Sequence, residues 1–194
     1  MQITGFIDAI VKACSDVNTM SFTSDGTFTL GLAAKTSAAE STDPTADADG
    51  VVKMYTEFGA AVVGADGKIL AAVNDATQPN ISFDEDGEIT ETAFKGTKME
   101  LGDDYGMVAY GNAIAEWDAQ AKAVEEYVVG KTAEEVAAIE TVQNDHGYSV
   151  AADETLYASC TMQITGFIDA IVKACSDVNP MSFTSDGTFT LGLA

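Results

Sequence analysis

Apolar residues recur at Ile164, Phe167, Ile168, Ile171, Val172, Cys175 and Val178, the i, i+3, i+4, i+7 spacing of a helix with one buried face. This predicts a helix over 163–178 that Asn179 and Pro180 stop, because the first tolerates a left-handed backbone and the second cannot continue a helix. Phe183, the pair Asp186-Gly187 and the run from Thr188 to Ala194 then read as a turn followed by a strand. Residues 37–50 are small, polar and acidic without periodicity, which predicts a loop. From Val51 the pattern becomes strand-like: Val51 to Val63 and Lys68 to Val73 flank Ala65-Asp66-Gly67 as a hairpin, and Phe83, Asp86-Gly87 and Ile89 suggest another. Helical spacing returns at Ile114, Trp117, Ala121, Val124 and Val128, up to Gly130. Thr132 with Glu135 forms a capping box that opens a shorter helix through Ile139. Strands first and helices after predict an α+β fold, a mainly antiparallel sheet with helices packed on it.

The same helix-and-strand pattern occurs twice. Residues 1–33 and 162–194 are identical at 32 of 33 positions, Thr19 against Pro180 being the exception, at an offset of 161 residues. That period exceeds those of solenoids and propellers and is the size of a single domain. The chain therefore reads as one complete module, residues 20–180, preceded by the closing helix of another repeat (1–19) and followed by the opening strand of the next (181–194). One module has room for one final helix and one first strand. The spare copies are expected to compete for a place or to complement a neighbouring molecule head-to-tail, a heterologous contact that propagates into fibres.

Composition narrows the partners. A formal charge of −22, with 31 acids against nine Lys and Arg, disfavours nucleic acid and anionic membrane surfaces. No segment has the roughly 18 uninterrupted apolar residues of a membrane span. Cys14 and Cys175 are one repeat position, and a helix separates Cys175 from Cys160, which argues against a disulfide framework. Asp47, Asp49 and Gly50 fall at positions 3, 5 and 6 of a calcium loop, but Thr45 and Thr56 stand where its first Asp and bidentate Glu are required. His146 is the single histidine, so a histidine-based metal cage within one module is excluded.

The most suggestive chemistry lies in Ala158-Ser159-Cys160-Thr161, a small-residue turn running into the predicted last helix. Together with Tyr55 to Asp75, including Asp66-Gly67-Lys68-Ile69, it resembles the FMN-binding domain family, to which belong the C subunit of sodium-pumping NADH:quinone reductase and flavinylated surface proteins of bacterial electron transfer. The resemblance loosely covers Val51 to Cys175. It implies FMN joined through a phosphoester to the Thr161 hydroxyl, Ser159 and Cys160 lining the site where the family has Gly and Ala, and an electron carrier without catalytic residues. A phosphate on Thr161 would meet the N–H groups and positive dipole of a helix N-terminus; the alternative is that Thr161 only caps that helix. Leu101-Gly102-Asp103-Asp104-Tyr105-Gly106-Met107 is either a cofactor-lining loop, with Tyr105 stacked on the flavin, or a tight turn.

Two functions from different classes follow. The first is a secreted or cell-surface tandem-repeat module that carries covalent FMN and serves as an electron relay rather than an enzyme. The second is a flavin-free structural repeat that assembles with neighbouring copies of itself into a filament or surface coat.

Overall fold

In the computed structural model of the chain, residues 3–15, 18–177 and 179–193 are described. Helix α1 (Thr4–Ser15) leads into one long strand, β1 (Thr19–Ser37). Five shorter strands follow: β2 (Gly50–Lys53), β3 (Tyr55–Gly64), β4 (Ile69–Thr77), β5 (Asn80–Phe83) and β6 (Ile89–Ala93). The helical half comprises α2 (Lys98–Leu101), a 3-10 turn over Gly102–Tyr105, α3 (Met107–Gly111), α4 (Trp117–Val128) and α5 (Ala133–Ala137). A small hairpin, β7 (Thr141–Gln143) and β8 (Ser149–Ala151), precedes α6 (Glu154–Tyr157), α7 (Thr165–Cys175) and the last strand, β9 (Met181–Gly192). The main sheet has the order β4-β3-β1-β9 and is antiparallel throughout. The chain is an α+β fold, as the pattern predicts.

Local signals explain much of this. At the β3–β4 turn Gly67 has φ +80°, a left-handed position that glycine adopts without strain, and the Lys68 N–H donates to Asp66 Oδ1 at 3.1 Å. Thr132 and Glu135 form the expected capping box, and Thr97 and Glu100 form another that opens α2. Three expectations are corrected. The strand predicted over 51–63 divides at Met54, whose N–H turns to the Pro79 carbonyl, so β2 pairs with β5 in a separate three-stranded sheet. Ile114 lies before α4 and is 56% exposed, outside the buried face it was expected to share. Asp186-Gly187 is not a turn: β9 runs through it, held in a ladder by β1.

One core lies between the sheet and helices α4, α5 and α7. Ile69, Val124, Val128, Val136, Ile164 and Ile171 are fully enclosed there, and Trp117 stacks on Phe167 with ring centroids 5.2 Å apart. Trp117 is core, as its spacing suggests. Small residues let α7 lie directly on β1 and β3: a Cβ at Gly59 would stand 2.8 Å from the Ala170 carbonyl carbon, and one at Gly31 would overlap the Ala174 carbonyl oxygen. On the other face the sheet curls, so that β1 and β9 reach β4 across β3. Phe22, Phe28, Val62, Val73 and Leu191 close a second apolar cluster there.

The duplicated segments do not compete for one place. Both strand copies lie in the main sheet side by side, α7 covers β1, and α1 rests on β9. A Cβ at Gly192 would overlap the Ala13 carbonyl oxygen, the counterpart of the Gly31–Ala174 approach with the two copies exchanged.

Candidate functional site

The proposed flavin turn resolves into three different environments. Ser159 is exposed, Cys160 is fully buried in the helical core, and Thr161 is half-buried. Burial pushes the Cys160 thiol up to about 11, which makes it a packing residue rather than a nucleophile. Thr161 does not cap α7: the cap position is Ile164, and no side chain bonds the helix end there. The Thr161 N–H and hydroxyl both donate to Gln120 Oε1, at 2.9 and 3.4 Å, while buried Gln120 donates to the Ala115 carbonyl at 2.7 Å. The first turn of α7 faces the Glu57 carboxylate, which lies where a Cβ on Gly166 would be. A carboxylate of the chain itself thus stands at the helix end where the sequence suggests a phosphate. Tyr105 sits in the 3-10 turn and donates to Gln78 Oε1 at 3.3 Å.

Tyr105 also belongs to a box of rings around Lys98, the first residue of α2. The Lys98 ammonium lies 4.7 Å from the Tyr55 ring centroid, 4.7 Å from Tyr105 and 5.4 Å from Trp117. The residue is 6% exposed, and none of the ion pairs among the described residues includes it. Desolvation lowers its pKa to about 8, with Glu57 and Asp75 pulling the other way. Burial raises the Glu57 carboxyl, opposed by Lys35 and Lys98. Two clefts open beside this box: one of about 470 Å³ reaches Tyr55, Glu57, Gln163 and Tyr148, and one of about 430 Å³ reaches Phe94 and Tyr105. Gln78 and Lys98 line both. The Thr97-Lys98-Met99-Glu100 capping box was the signal that could have put Lys98 at a helix start; nothing in the pattern announces its ring cage.

The feature with most structure behind it is the junction of the two repeat copies. β1 pairs with β9 from Thr19↔Gly192 to Leu30↔Met181, and the register places Asp25 opposite Asp186, the same repeat position. Every other residue therefore meets the copy of its mirror-image partner about that point. Phe22 faces Phe189 and Phe28 faces Phe183, with centroids 5.5 and 5.3 Å apart, and Phe22–Phe28 and Phe28–Phe189 contacts at 5.4 Å complete a four-ring cluster. Thr27 and Thr184 hydroxyls lie 3.2 Å apart, and Ser21 and Thr190 hydroxyls 3.5 Å apart. The stretch Met20-Ser-Phe-Thr-Ser-Asp25-Gly-Thr-Phe-Thr-Leu30 is nearly a palindrome in residue character, so it complements itself when reversed. The register stops where the copies differ: Pro180 would be opposite Gly31, and proline has no N–H for a ladder.

A buried polar network fixes the first copy at this junction. Fully buried Asn18 donates to the Asn74 carbonyl at 2.7 Å and accepts from Lys122 Nζ at 2.8 Å. Lys122 also donates to the Thr19 carbonyl at 3.1 Å and pairs with buried Glu125 at 3.1 Å, whose Oε1 accepts the Asn74 N–H at 2.6 Å. Asn179, the copy of Asn18, is exposed. No protein-family model, curated protein or solved structure matches this chain.

Proposed function

We propose that the chain is a structural repeat of a surface assembly, without catalytic residues, whose copies join in pairs through the β1–β9 ribbon. The observation that carries this reading is the register centred on Asp25 and Asp186, in which a strand accepts its own copy as its neighbour. Two identical surfaces meeting about a pseudo-two-fold axis make the geometry of an isologous contact, which closes rather than propagates. The ribbon covers an apolar cluster that a lone β1 would leave open, and it occupies the strand edge that β1 would otherwise expose. Tandem linkage then strings such pairs along the chain. A charge of −22 keeps neighbouring pairs apart and soluble at the high local concentration of a coat. The test is small-angle scattering from chains lengthened by successive 161-residue periods. Particle length should grow in steps of two modules, each pair compact; a uniform increment per module would contradict pairing.

A covalent flavin on Thr161 is the second reading. Its support is that Thr161 is half-buried on the segment before α7 and that its hydroxyl makes only a long bond to Gln120, so that esterification would disturb little. Protein from the native host, or from cells supplied with a flavin transferase, should then gain the mass of FMN and lose it in Thr161→Ala. An unmodified native protein would eliminate this reading.

A further inference from the structure

Helix α1 has the sequence of α7 but not its surroundings. In α7 and at its cap, Ile171 and Ile164 are fully buried, and Phe167 and Ile168 are 6% and 8% exposed. The same positions in the first copy, Ile3, Ile10, Phe6 and Ile7, are 63%, 64%, 59% and 51% exposed, and Val11 is 60% exposed. No residue of α1 is buried. Yet α1 is seated as a closing helix should be, with Ala13 against Gly192 of β9 in the approach that Ala174 makes to Gly31 of β1. Lys12 secures it further through an ion pair with Glu100 at 2.7 Å. Gly166 leaves room for the Glu57 carboxylate beside α7, whereas Gly5 faces open space. The α1–β9 pair thus reproduces the helix and strand of a complete module without the core between them.

We infer that the apolar face of α1, together with β9, is a docking surface for a second copy of the module core, residues 34–160, supplied by another repeat. The template for the contact is in the same molecule: Trp117, Ile69, Ala72 and Val136 cover this helical face in α7, and their copies cover it in α1. An apolar stripe that repeats the spacing and identity of a buried one calls for the same counter-surface, and the Ala13–Gly192 contact already sets the orientation in which a core would enter. Once filled, the particle is two complete modules related by the Asp25–Asp186 pseudo-two-fold. This inference rests on the reading of the chain as a repeat whose copies pair.

The experiment extends the full chain by repeating residues 34–160 directly after Ala194, which continues β9 into a second core and leaves α1 as the only helix to close it. In the 194-residue chain, Ile10→Asp should leave the melting transition unmoved, whereas Ile171→Asp abolishes it. In the extended chain Ile10→Asp should remove the folding of the second core, and the milder Phe6→Ala should lower its melting as Phe167→Ala lowers that of the first. An extended chain whose melting is indifferent to both α1 substitutions overturns the inference, as does a 194-residue chain that dimerises through α1 and loses that dimer in Ile10→Asp. An Asp25→Cys/Asp186→Cys cross-link in the same preparation reads the ribbon separately. If it forms while α1 stays exposed, docking alone has failed; if it does not form, the pairing of copies has failed first.

Discussion

Residues 4–15 and 165–176 have one sequence and two fates. In the second copy the helix is pressed into the core with its isoleucines buried; in the first it lies on an edge strand with the same isoleucines more than half exposed. The strands divide residue by residue instead: Phe22 of the first copy is 8% exposed against 38% for its counterpart Phe183, whereas Leu32 is 58% exposed against 8% for its counterpart Leu193. Amphipathic spacing therefore specifies which face of an element wants cover and says nothing of whether cover is present. What decides is the number of cores available, and 194 residues contain one. Helix α7 takes that core, α1 rests on β9 beside it, and the two strand copies share the apolar cluster on the other face of the sheet.

The sharpest way to break this comparison is to truncate the same residue in both helices. Phe167→Ala removes a ring stacked on Trp117 and should cost about 3–5 kcal/mol of unfolding free energy, while Phe6→Ala should change it by less than about 0.5 kcal/mol. Equal costs would mean that α1 is as buried as α7. The core that only α7 enjoys can also be titrated. Lys98 has a folded-state pKa of about 8 against the 10.5 of an ordinary exposed lysine, so between these values the unfolded chain binds more protons and stability rises with pH. The contribution is fully present above 10.5 and is lost as pH falls through about 8, a span of about 3 kcal/mol. Tyr55 and Tyr105, both raised by burial, oppose it at the alkaline end, so denaturation curves from about pH 8 to pH 9.5 are the informative ones. Lys98→Met should flatten that rise; an unchanged slope would assign it elsewhere.

The cysteines carry the comparison into reactivity. Cys14 is exposed, whereas burial pushes the thiol of Cys175, the same repeat position, up to about 11 from 9.0. Near neutral pH, Cys175 should react with a thiol reagent about a hundredfold more slowly than an unburied cysteine, and its rate should keep rising toward pH 11. Comparable rates at the two positions would deny that the copies differ. The smallest expected effect is at the centre of the ribbon, where Asp25 and Asp186 face each other as like charges. Asp186→Asn should stabilise by about 0.2–1 kcal/mol, less at high salt. Destabilisation would mean that these carboxylates are not opposed.

Elements with a local cause were legible in the sequence. Alternation around Asp66-Gly67 marks the β3–β4 hairpin, the Asp86-Gly87 turn marks β5–β6, Thr132 and Glu135 announce α5, and the repeat itself is plain. Features that depend on distant partners were not. Asp186-Gly187 carries every mark of a turn, and a ladder with β1 overrides it. Thr161 looks like a helix cap because the apolar pattern begins just after it, yet the helix starts at Thr165, and Thr161 turns to Gln120. Lys98 is charged and would be assigned to the surface; its burial depends on three aromatic rings brought together from β3, the 3-10 turn and α4. One tertiary feature is written locally: the mirror order of Phe22, Thr23, Asp25, Thr27 and Phe28, which lets a strand pair with its own reversed copy.

The central claim, that the two copies meet about Asp25 and Asp186, is tested most directly by cross-linking. In a chain with Cys14→Ser, the pair Asp25→Cys and Asp186→Cys places thiols on directly opposed strand residues, within the Cα separation a disulfide accepts. Mild oxidation should give an intrachain disulfide in a monomeric protein, while Asp25→Cys with Thr190→Cys, displaced along the strand, should give none. Cross-linking of the displaced pair, or a disulfide found only between molecules, would contradict the account.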